Sequence, residues 1–145
     1  EAALAISPSS ALTFILGSVI LAWAGDAERA IEWGERAMRL SPFDPWAFAA
    51  FHALTLGHVQ RGRYEEAVKA AHKAVQSNPA HSISYMLLAA ALAKLGRLAE
   101  ARAAAARVLE LQPPFRYGRQ FSGVNCAPVL AASLSEALRD TGLPE

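Results

Sequence analysis

The sequence holds a single cysteine, Cys126. No internal disulfide can form, so the fold must hold by packing alone, and a reducing, cytoplasmic setting is expected. A lone thiol with no obvious activating base reads as an ordinary, partly buried side chain rather than a nucleophile. Charge of one sign is equally scarce: Lys and Arg number 14 and Asp and Glu 13 among 145 residues, a net +1. A near-neutral chain offers no large field to gather nucleic acid or anionic lipid. Lys94, Arg97, Arg102, Arg107, Arg116 and Arg119 do outnumber Glu100 and Glu110 locally. Solvated faces of amphipathic helices carry such charges routinely, and no nucleic-acid partner is expected.

Long apolar runs are missing too. Residues 2–25, AALAISPSSALTFILGSVILAWAG, carry no charge, but Ser7, Pro8, Ser9 and Ser10 interrupt them. The continuous apolar part, residues 11–24, falls short of the ~20 residues a bilayer needs. It also lacks the basic flank of a signal peptide. The expectation is a buried helix and no membrane span.

Catalytic patterns are absent. There is no G-x-S-x-G, no phosphate-binding Walker loop and no H-E-x-x-H. His52, His58, His72 and His81 are spaced by 6, 14 and 9 residues, none of which is the i, i+4 pair of a helical metal site. Glu65 and Glu66 fall at a helix start, where carboxylates favour the dipole rather than general acid–base work. The sequence therefore predicts no catalytic residue, no metal and no cofactor.

What is present is helix-forming and periodic. The chain is 53% hydrophobic and 19% charged, rich in Ala, Leu, Glu and Arg and poor in Val, Ile and Thr, which sets an all-α class. Pro8 and Pro42 lie 34 residues apart, as do Pro45 and Pro79, Pro79 and Pro113, and Gly62 and Gly96. Gly25 and Gly62 are 37 apart, so one three-residue insertion is expected at SPFDP. Ser7, Ser41, Asp44 and Asn78 precede prolines. Proline ends a helix at the residue before it and is tolerated in the first turn of the next, with the short polar side chain available as a cap.

Between these corners the apolar spacing is helical and split by glycine. Phe51, Leu54 and His58 form one stripe, Gly62 breaks it, and Tyr64, Ala67, Val68, Ala71, Ala74 and Val75 form the next. Tyr85, Leu88 and Leu92, then Gly96, then Leu98, Ala101, Ala105, Val108 and Leu109 repeat the grammar. So do Phe14, Gly17 and Leu21, then Gly25, then Ala30, Gly34, Ala37 and Met38. Each period is thus two helices joined by a glycine turn, with alanine where the pair approaches closely.

This grammar resembles the tetratricopeptide repeat: W-x2-L-G-x2-Y, then A-x3-F, then P, over about 34 residues. Phe51, Leu54 and His58 occupy the first anchor slots, His58 as a packed imidazole, with Gly62, Tyr64, Ala67, Ala74 and Pro79 following. Thr55 and Ala89 replace the usual glycine, and Gly17 stands where leucine is expected. The resemblance implies an α–α superhelix: residues 1–8 as the tail of a preceding repeat, repeats at 11–44, 48–81 and 82–115, an insertion at 45–47, and an irregular segment plus capping helix over 116–145. In the cap, Val129, Leu130, Leu134 and Leu138 are expected to form the inward stripe.

In such solenoids the first helix of each hairpin lines a concave groove that holds peptides. By resemblance the lining is Ile15, Val19 and Trp23, then His52, Leu56 and Val59, then Met86, Ala90 and Lys94. Chaperone-binding members clamp a terminal carboxylate with lysine and asparagine. Here Ile15, His52 and Met86 stand at the lysine slots and Val19, Leu56 and Ala90 at the asparagine slots. The implied partner is therefore an apolar protein segment or peptide, with self-association into a homodimer through residues 11–24 as the alternative.

More narrowly, RAMRLSPFDPWAF, GRYEEAVKAAHKAV, LAAALAKLGRLAEARAAAARVLELQP and EALRDTGLPE look like the C-terminal repeat region of bacterial class III adenylate/guanylate cyclases, a style shared by repeat-bearing transcriptional regulators. That resemblance implies a catalytic domain upstream that makes cyclic AMP from ATP, with its metal-binding aspartates outside these residues.

Overall fold

The computed structural model describes residues 8–145. The expected tail of a preceding repeat, residues 1–8, lies almost wholly outside the described residues. Helices α1 (Pro8–Trp23) and α2 (Ala27–Leu40) form the first antiparallel hairpin, α3 (Ala47–Gln60) and α4 (Tyr64–Ser77) the second, and α5 (Ser82–Lys94) and α6 (Leu98–Leu111) the third. Two shorter helices follow, α7 (Tyr117–Gly123) and α8 (Pro128–Leu138). No strand occurs among the described residues.

The hairpins form where the sequence forces a turn. Gly25, Gly62 and Gly96 take φ of +94°, +73° and +80°, the left-handed region that lets each chain reverse between its two helices. Asp26 then caps α2, its carboxylate accepting from the Arg29 N–H. Ser41, Asn78 and Gln112 end the outer helices with the same extended backbone, φ −150°, −148° and −143°, and each is followed by proline.

The corner between α2 and α3 runs longer than the one between α4 and α5, and the additional residues sit within 41–46. Asp44 closes it by accepting from the Trp46 N–H at 2.8 Å, as Asn78 accepts from the Ala80 N–H at 3.3 Å one period later. The lengthened corner leaves Phe43 96% exposed.

Small residues set the depth of the stack. Ala30 and Ala37 of α2, Ala67, Ala71 and Ala74 of α4, and Ala101 and Ala105 of α6 are buried where neighbouring helices meet. Gly34 sits against Leu54 and Gly57 against Ile31, so the first two hairpins interlock through glycine on both sides. Helices α1, α3 and α5 form the inner layer and α2, α4 and α6 the outer one, with consecutive helices packed along the chain.

Two expectations are corrected after Pro113. Part of the segment expected to be irregular is helical: Tyr117 and Phe121, one turn apart, are both buried and hold α7 in place. The chain end lies against that helix, with the Gly118 N–H donating to the Glu145 carbonyl at 2.8 Å and the Tyr117 N–H to the Pro144 carbonyl at 3.1 Å. In α8, Leu130, Leu134 and Leu138 are buried as expected, but Val129 is 85% exposed. A stripe at i, i+4, i+8 leaves its i−1 neighbour on the flank of the helix.

Candidate interaction surface

The inner face is built from α1, α3 and α5, whose parallel courses bring residues about one period apart side by side. His52 and Ser84, 32 residues apart, meet with Nε2 to Oγ at 2.7 Å. Around them lie Phe48 and His81, with ring centroids 5.6 Å and 5.2 Å from the His52 ring. Burial foremost, and the charge of His81 second, push the His52 imidazole down to about 3, so it is neutral at ordinary pH. Burial also lowers His81. The sequence placed His52 on the groove as a candidate partner contact; the structure gives its polar end to Ser84 and closes it between repeats.

The other expected lining residues separate into two groups. Ile15 packs with Ala37 and Ala50, next to Phe14 and Met38, at the far end of the first hairpin. Trp23, Leu56, Val59, Met86 and Ala90 belong to the main core and are buried. Only Val19 and Lys94 retain partial exposure.

The cover over much of that surface is the chain's own C-terminal segment. Phe121 of α7 meets Trp23 with ring centroids 6.1 Å apart. The Ala127 N–H donates to the Trp23 carbonyl at 2.8 Å, fixing the start of α8 at the first hairpin. From there α8 runs to the third, where it packs on α5 and Glu136 Oε1 reaches Lys94 Nζ at 3.4 Å. Beyond its end, Arg102 donates to the Asp140 carbonyl at 3.1 Å. Leu130, Leu134 and Leu138 join one apolar cluster with Trp23, Val59 and Leu92.

An open cleft remains at the start of α8, with Pro128, Val129 and Ser133 on one wall and Ala24, Gly25, Val59 and Gln60 on the other. The sequence carried no local signal for this return path, because residues 23 and 127 are joined only in the folded chain.

No group of His, Cys, Asp and Glu that could hold a metal ion occurs among the described residues. Burial pushes the Cys126 thiol up to about 11, which leaves it protonated and a poor nucleophile. No described helix is long and apolar enough to cross a membrane. The stacked hairpins and the closing helix share one continuous apolar core.

Comparison with known proteins agrees. The tetratricopeptide-repeat family profile matches residues 53–114. Among solved structures, the first such domain of human RPAP3 is similar at 21% identity and TM-score 0.69, covering 93% of this chain and 97% of that one. The first repeat domain of Spaghetti (RPAP3), bound to the HSP90 peptide SRMEEVD, is similar at 21% identity and TM-score 0.68, covering 83% and 94%. An O-GlcNAc transferase from Thermobaculum terrenum matches at 19% identity and TM-score 0.64, over 89% of this chain and 26% of that one. No match was found among curated proteins. Residues 53–114 match the tetratricopeptide-repeat profile, and the chain as a whole has the all-α superhelical fold seen in tetratricopeptide-repeat proteins.

Proposed function

We propose that the chain is a non-catalytic protein-interaction module whose inner face takes an apolar, helical segment of a partner protein. The observation that supports this reading is the chemistry of the inner layer: Trp23, Leu56, Val59, Met86 and Ala90 are buried in one apolar cluster across three hairpins, joined by Leu130, Leu134 and Leu138 of the chain's own C-terminal helix, with Val19 and Lys94 partly exposed beside it. The RPAP3 domain is bound to the acidic HSP90 peptide SRMEEVD. Here Ile15, His52 and Met86 fill the positions where a lysine clamp for such a peptide would stand. An apolar partner suits this chain better than an acidic one.

The test is fluorescence anisotropy of the whole chain against labelled peptides. An amphipathic helical peptide with aliphatic side chains on one face is expected to bind, and SRMEEVD is not. Val19→Glu and Lys94→Glu should each weaken binding by about ten-fold or more, the loss of roughly one good contact. Tight binding of SRMEEVD, or unchanged affinity in both variants, counts against the inner face. A charge at Leu56 would test folding instead, because that side chain is fully buried.

The phrasing of the repeats supports a place for this module in a larger, cytoplasmic bacterial signalling protein, such as an adenylate cyclase whose catalytic domain lies elsewhere. A second reading, self-association, draws on Leu16 and Ile20 of α1, which are 50% and 69% exposed. It predicts a concentration-dependent dimer in sedimentation that Ile20→Asp dissolves. A monomer at high concentration removes it.

A further inference from the structure

One end of the inner layer is already covered by α8, tied to Trp23 at its start and packed on α5, and that helix defines what the surface accepts. We propose that α8 is an internal occupant of the partner site, and that the partner displacing it is an amphipathic helix with large aliphatic side chains at i, i+4 and i+8 and an acid at i+6. This rests on the inner face being the binding surface, and it names both the ligand chemistry and the device that guards it.

Leu130, Leu134 and Leu138 supply the aliphatic positions and are buried in the core, while Glu136 supplies the acid. The Lys94 side chain is only 15% exposed, whereas Glu136 is 73% exposed, so the cation belongs to the wall and the carboxylate to the occupant. Helix-in-groove recognition uses this kind of spacing.

The attachment of α8 is local. Its first residues are held by the bond from Ala127 N–H to Trp23 and stand beside the open cleft. No side chain caps its start, and the polar ties around and beyond its end are Lys94 to Glu136, Arg102 to Asp140, and the α7 amides of Tyr117 and Gly118 to Pro144 and Glu145, which must part when it is released. Asn125, at φ +54°, turns the chain from α7 toward α8. The six helices of the stack pack consecutively on one another, whereas α8 packs chiefly on α5. A segment of 11 residues is too short to stay helical once released. Release therefore leaves an unfolded tail and an uncovered strip from Trp23 to Lys94.

Hydrogen exchange on the unmodified chain is the first test. The amides of α8 should exchange about ten-fold or more faster than those of α3 and α5, as expected for a unit that opens without the rest. The second test adds a labelled peptide of residues 127–139 to the chain carrying Leu130→Glu and Leu134→Glu. The variant should keep the helicity of the stack and bind the peptide at least about ten-fold more tightly than the unmodified chain does, since its own occupant no longer competes. The same peptide with Leu134→Glu should not bind.

Exchange of α8 in step with α3 and α5, collapse of the whole fold in the double variant, or a folded double variant that ignores the peptide would each overturn the proposal. If amphipathic peptides bind the unmodified chain through Val19 and Lys94 while α8 exchange is unchanged, the interaction module stands and the displacement mechanism falls.

Discussion

Lowering the pH from about 7 to about 4 should remove about 3 kcal/mol of folding stability through His52 alone, roughly 1.4 kcal/mol for each pH unit below the ordinary histidine range. The sign follows from burial. In the unfolded chain the imidazole takes a proton near its ordinary value of 6.5, whereas in the fold it resists until about 3. The stabilisation is complete above about pH 6.5 and is lost progressively as the pH falls toward the folded value.

The cause is loss of solvation on burial first and the charge of His81 second. A protonated His52 would sit among Phe48, Ser84 and His81, none of which carries a carboxylate to balance the charge. His81 acts in the same direction, since burial lowers it and its Nδ1 has no partner. Urea unfolding at a series of pH values measures the slope. His52→Gln, which keeps an amide within reach of Ser84 and cannot titrate, should flatten it at a modest cost near neutral pH. An equal slope in that variant would show that other groups carry the acid sensitivity.

The same residue shows where sequence reasoning stops. His52 was visible as a polar residue on the inner side of the first helix of its repeat, and a polar residue there suggests a partner. Its actual partner is Ser84, a full period away, and only stacking makes the two adjacent. The repeat itself was legible because its marks are local: a glycine that must turn, a proline that must stop a helix, and alanines every turn where helices touch. Gly62 and Gly96 mark hairpin turns regardless of what packs on them.

In the C-terminal segment α8 was marked by its leucines, but α7 has no comparable mark. Tyr117 and Phe121 are correctly spaced for a helix, but Gly118 and Gly123 lower the helical propensity around them. Gly118 is kept small because a Cβ there would come within 2.7 Å of the Glu145 carbonyl. The return of α8 across the inner face depends on the bond from Ala127 to Trp23 and on three leucines whose counterparts are more than thirty residues away. The expected lining residues lie on α1, α3 and α5, and a capping helix was expected, but its tie to Trp23 was not.

Gly57→Val should destabilise the protein by about 3 kcal/mol, at the upper end of what overpacking a close-packed core costs. Gly57 lies on α3 where α2 crosses it. A Cβ there would fall 2.5 Å from Ile31 Cγ1 and 3.2 Å from the Ala27 carbonyl oxygen. Replacing glycine within a helix ordinarily gains stability, about 1 kcal/mol for alanine. Here that gain is outweighed, because Cγ1 is the branch of Ile31 next to its backbone and cannot swing clear without the helix, and the Ala27 oxygen is backbone already held at the start of α2. Valine adds two methyl groups to a gap that does not admit one. The first two hairpins would have to separate, and the strip running from Trp23 to Val59 would lose its register. Gly62→Ala is the control: nothing lies within 4 Å of its Cβ position, so only the strain of φ +73° remains, about 1 kcal/mol. Thermal unfolding of both variants checks the order. If Gly57→Val melts at or above Gly62→Ala, the hairpins do not interlock through that glycine.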